Sequence, residues 1–151
     1  MGQQQLLLLV LGIVIVGLAV VVGIQAFGEN QKKANADAMV NDGVRLASDA
    51  QAWALKPQAF GGGAGDFHKG AATTGALVTL ADLGYSTSPY TNLNAQGTAT
   101  GAGYTITASG SGILITGINT SPANTVHVRA CGTTPNSITT VVNGTAPTTC
   151  P

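Results

Sequence analysis

Nineteen consecutive positions, Leu6 to Ile24, hold only Leu, Val, Ile, Ala and Gly. Such a run predicts a helix that is oily on every side, and at about 1.5 Å per residue it spans roughly 28 Å, close to a hydrocarbon core of about 30 Å. After Gly28 the chain turns polar but stays helical in habit, with no proline between Glu29 and Lys56. Ala36, Met39, Gly43, Leu46, Ala50 and Trp53 recur at spacings of three and four, which marks one apolar stripe. Lys32, Asp42, Asp49 and Gln51 fall mostly off that stripe. Pro57 and the run Phe60-Gly61-Gly62-Gly63 end the pattern. The expectation is one helix from Gln3 to Lys56, about 80 Å long. Its first half is apolar and its second half amphipathic.

The remainder is small, neutral and rich in Thr, Gly, Ala and Ser. Leu77, Leu80 and Leu83 would share a face of a short helix over Gly75–Leu83. Alternation and β-branching predict strands at Tyr104–Ala108, Ile113–Ile118, Thr125–Ala130 and Ser137–Val142. Gly110-Ser111-Gly112 joins the first pair as a hairpin, and Ser121-Pro122-Ala123-Asn124 makes the next turn. The fold class is therefore α+β: a long N-terminal helix packed against a four-stranded antiparallel meander. Four segments are expected: the hydrophobic helix 1–28, its amphipathic continuation 29–57, a Gly/Thr-rich connection 58–103 with a short helix, and a β-sheet head 104–151.

Cys131 and Cys150 flank the last predicted strand, and no Cys-x-x-Cys or His/Cys cluster suggests a metal. Two readings stand, a disulfide and a pair of free buried thiols. The bridge would contribute about 3 kcal/mol in the chain-entropy model, useful to a small core. It would also place the head in an oxidising compartment.

Charge narrows the function classes. Six Lys and Arg balance six Asp and Glu. None of them precedes Glu29, eleven fall between Glu29 and Asp82, and Arg129 stands alone beyond. There is no basic patch for nucleic acid. At 8 % charged, against about 25 % for ordinary soluble domains, the chain looks built to pack against copies of itself or to sit outside the cell. For the apolar helix, a secretory signal fits poorly, because the run is long, no basic n-region precedes it and no A-x-A site follows. Myristoylation at Gly2 fails because Leu6 stands where Ser or Thr is needed. A plain membrane anchor and a helix running from membrane into a protein core both remain, and the second accounts for more of the pattern.

This layout resembles type IV pilins and pseudopilins. At residue level the resemblance rests on Gly2 and the run from Gln3 to Phe27. It implies a subunit held in the membrane and then polymerised, with its oily half-helices bundled at the filament centre. Gln3, Gln4, Gln5, Leu6 and Leu9 would lie in that core, with Gly12, Ile13, Val16, Gly17, Val20, Gly23 and Ile24. Members of the family carry a leader ending in glycine, and a glutamate five residues into the mature chain. Here only Met1-Gly2 precedes the helix, and the glutamate position falls on Leu7 if Gly2 is the last leader residue, or on Gln5 if nothing is removed. In the uncut reading, the three glutamines offer neutral hydrogen-bonding groups to the helix start, or form a polar flank in the headgroup region. Lys32 and Lys33 after the apolar run mildly favour a cytoplasmic head, whereas the cysteines and the resemblance favour an external one.

No catalytic constellation is present in the sequence. Asp66, His68 and His127 lack ligand spacing, and the loop GGGAGDFHKG lacks the Lys-Ser/Thr ending of a phosphate loop. The seven aromatic residues are scattered, which argues against a stacked conduction path. Asn119-Thr120-Ser121 and Asn143-Gly144-Thr145 match the glycosylation pattern, one that chance often produces. The expectation is a structural subunit of an extracellular filament for adhesion, attachment or motility, with its own copies as partners. No enzyme activity, cofactor, metal or small-molecule substrate is expected. The alternatives are a monomeric membrane-anchored binding module and a minor pseudopilin.

Overall fold

In the computed structural model, residues 2–69, 75–85, 103–110 and 112–150 are described. The chain divides into two compact units, Met1–Ala34 and Asn35–Pro151. The division falls six residues beyond the expected boundary at residue 28. It does so because every residue from 29 to 34 is exposed, and burial begins at Ala36.

Helix α1 spans Gly2–Leu55, as the absence of proline and the run of good helix formers dictate. The glycine loop beyond it folds back and satisfies the last carbonyls. Gly63 N–H donates to Trp53 O, Gly65 N–H to Ala54 O and Ala64 N–H to Lys56 O. These are groups that a helix end otherwise leaves unpaired. A one-turn 3₁₀ helix, Gln58–Phe60, lies within that return.

The expected helix at Gly75–Leu83 does not form. Ala76–Leu77 is a two-residue strand, β2, paired antiparallel with β1 at His68–Lys69. The chain from Leu80 to Gly84 is a single turn closed by Gly84 N–H to Ala81 O and Tyr85 N–H to Leu80 O. Gly84 takes φ +88°, the left-handed conformation that ends such a turn. Without that helix, Leu80 is still buried, and Leu77 and Leu83 pack on the core.

The four-stranded meander forms in sequence order, antiparallel throughout: β3 Gly103–Ser109, β4 Gly112–Thr120, β5 Ala123–Ala130 and β6 Ile138–Val142. A second 3₁₀ turn, Pro135–Ser137, takes the place of the first residue expected in the last strand. Register puts Tyr104, Gly117, Val126 and Val142 in one row, and Ile106, Ile115, Val128 and Thr140 in the next. Alternation then gives the sheet two faces. The inner one, with Tyr104, Ile113, Ile115, Val126 and Val128, shares a core with Met39, Leu46, Ala50 and Trp53 of α1. Burying each large apolar side chain contributes roughly 1.5–3 kcal/mol.

Candidate assembly surface and the polar clamps of the compact unit

Among the described residues nothing covers the apolar half of α1. Every residue from Gly2 to Ala34 is exposed, and the large apolar side chains range from 51 % exposed at Leu11 to 74 % at Phe27. Leu6, Leu9, Ile13, Val16, Val20 and Ile24 are all more than half exposed. The helix is long and apolar enough to cross a membrane. At about 100° per residue its glycines fall on two sides: Gly12 and Gly23 lie about 20° apart, as do Gly17 and Gly28, with roughly 140° between the pairs. A Cβ added at any of these four would meet nothing within 4 Å. Gln3, Gln4 and Gln5 are exposed on the first turns.

The six stripe residues, Ala36, Met39, Gly43, Leu46, Ala50 and Trp53, are all buried. At Gly43 the helix lies close against the sheet, since an added Cβ would be 2.6 Å from Val128 Cγ2. Ala47, Ala54 and Gln51 are buried as well. Gln51 corrects the sequence reading, which set it off the stripe. Its amide nitrogen donates to Gly132 O at 2.7 Å, to Thr134 O at 2.9 Å, and to Ser137 Oγ at 3.2 Å. One helical side chain thus holds the loop between β5 and β6, and those bonds offset the cost of burying an amide.

Further polar contacts tie α1 to its surroundings. Tyr85 Oη donates to Asp49 Oδ2 at 2.6 Å, and Tyr104 Oη lies 3.3 Å from both Asp42 Oδ2 and Met39 O. Asn35 Oδ1 accepts from the amides of Asn119 and Asn124 at 3.0 and 3.1 Å. Asn143 extends this cluster, donating to Asn124 Oδ1 and accepting from Thr125 N–H. Both glycosylation candidates therefore have their acceptor nitrogen engaged. Asn119 is only 3 % exposed, so the folded unit does not present it to an enzyme. Asn143 is exposed, but its amide would have to leave Asn124.

Cys131 and Cys150 form the disulfide. The bridge returns the C-terminal tail to the sheet's outer face, where Arg129 Nη1 donates to Pro147 O at 2.8 Å. The staple thus holds the tail more directly than it holds β6.

Asp66 and His68 do meet, at 3.1 Å, with His68 buried. The hydrogen bond with the His68 side chain holds the Asp66 carboxyl below its ordinary value, helped by the Phe67 N–H and opposed by burial. Lys69 pairs with Asp82 at 2.8 Å. Burial pushes the Asp82 carboxyl up, but bonds from Lys69 and Thr79 outweigh it and leave the pKa lowered. His127 sits apart on β5 with Thr116 Oγ1 as neighbour. Among the described residues no group of three or more His, Cys, Asp or Glu could hold a metal. No protein-family model, curated protein or solved structure matches the chain.

Proposed function

We propose that the chain is the structural subunit of an extracellular type IV-like filament, polymerising through residues 2–28 after waiting in the cytoplasmic membrane. The observation that carries this reading is the uncovered apolar circumference of α1 from Leu6 to Phe27. In water that surface would be strongly unfavourable, so lipid or other copies of the chain must cover it. The two glycine faces favour copies. Small residues let helix backbones approach closely, and a helix with such faces on two sides can pack between neighbours, which a lone anchor does not need. The bridged, sparsely charged compact unit suits the filament exterior, with adhesion, attachment or motility as its role. Negative-stain microscopy of material sheared from producing cells tests this. Filaments that contain the chain by mass spectrometry are expected. If the chain stays wholly in the membrane fraction and no filament forms, the monomeric anchored module is the better reading.

A further inference from the structure

The outer face of the sheet contains a buried charge that meets no acidic side chain among the described residues. Arg129 is 2 % exposed. Its Nη1 donates to Pro147 O in the tail and its Nη2 to Ser109 O at the end of β3, both at 2.8 Å and both to neutral carbonyls. Neither ion pair found among the described residues involves it. No acidic side chain follows Asp82 in the sequence. Arg129 Nε is buried without a hydrogen-bond partner, and so is Thr139 Oγ1. These two orphaned groups belong to residues directly opposite each other on β5 and β6. A guanidinium that meets only neutral carbonyls among the described residues and two unmet groups on paired strand positions are each costly, and their coincidence needs a common cause.

We propose that Arg129 and Thr139 form a binding site for a small inorganic anion of chloride's size, enclosed by the disulfide-bound tail. Such an ion accepts from Arg129 Nε–H and from the Thr139 hydroxyl, and it neutralises the guanidinium. A water molecule would satisfy the two donors but leave the charge. Chloride dependence therefore separates the two occupants. Because the strand pairing that brings Arg129 and Thr139 together exists only in the folded unit, the ion stabilises that unit through binding linkage.

The test uses the full chain purified in detergent micelles, with chloride replaced stepwise by gluconate at constant ionic strength. Wild type should show a saturable rise of the thermal midpoint, about 5 °C or more once chloride reaches roughly ten times its dissociation constant. It should also broaden the chloride NMR resonance. Thr139→Val keeps the β-branched shape of the strand and should lose most of both effects. Arg129→Met should lose both entirely wherever its own midpoint falls. A wild-type midpoint that ignores chloride, or a Thr139→Val variant that keeps the full shift, overturns the proposal.

Discussion

Gly17 and Gly43 occupy the same helix under opposite constraints. A Cβ at Gly17 meets nothing within 4 Å, whereas one at Gly43 lies 2.6 Å from the Val128 side chain. Around Gly17 the neighbours along the chain are apolar and exposed; around Gly43 the inward face is apolar and its bulk is already matched. The compact unit has solved its packing internally. Residues 2–34 leave their apolar side chains exposed. A helix that is oily all round and a helix with one apolar stripe are thus two answers to where the covering surface comes from.

The matched pair Gly17→Leu and Gly43→Leu tests this contrast with the largest expected effects. Gly17→Leu should insert normally, leave the thermal midpoint of the compact unit unchanged, and abolish filaments. Gly43→Leu should cost the compact unit about 3 kcal/mol or more, because even the first added carbon overlaps a buried side chain. Midpoints from circular dichroism and counts of filaments by microscopy separate the two. Normal filaments from Gly17→Leu would mean that this face of the helix is not an interface.

Reducing the Cys131–Cys150 bridge should lower the stability of the compact unit by about 3 kcal/mol and leave the helicity of residues 2–34 intact. Denaturant titration with and without reductant reads the difference, and the intact protein should weigh two hydrogens less than the reduced form. Gln51→Leu comes next, at about 1–3 kcal/mol, since it removes the amide that ties the helix to the loop and leaves the Gly132 and Thr134 carbonyls only their bonds from Ser137. A variant as stable as wild type would show that water replaces the amide in the loop.

The stripe from Ala36 to Trp53 was legible because apolar spacing of three and four has one natural meaning over so long a run. The four strands were legible from alternation and β-branched residues between short turns. Gln51 was not, because a polar residue reads as outward-facing until its partners are known, and those lie more than 80 positions away. Arg129 carried a hint, as the single charge beyond Asp82, but nothing local announces that Pro147 and Ser109 will enclose it. Leu77, Leu80 and Leu83 gave a helical period over only nine positions, too few to repay helix nucleation. There, pairing with His68–Lys69 and a turn closed by Gly84 prevailed. The expectations that fell on residues 70–74 and 86–102, and on Ser111 of the expected hairpin connection, lie outside the described residues.

Acid should separate the two regions most gently. Residues 2–28 contain no ionisable side chain, so lowering the pH gives that segment nothing to titrate. The compact unit holds Asp66 and Asp82, both with pKa values below the ordinary 3.8. A carboxyl whose folded pKa is depressed stabilises the fold while it is ionised, so the contribution is complete at neutral pH. It begins to fade as the pH falls through the unfolded value of 3.8 and is lost once the folded pKa is passed. Each carboxylate is about a quarter exposed, 27 % for Asp66 and 23 % for Asp82, so solvent screening keeps the effect modest. Between pH 7 and 5 the midpoint of the compact unit should therefore move little on account of these two groups, and below about pH 4 it should drop. Asp82→Asn should be less stable at neutral pH, where it lacks the Lys69 pair, and should show a shallower acid decline. If Asp82→Asn follows the wild-type curve in parallel at every pH, the Lys69–Asp82 contact contributes nothing that protonation can remove.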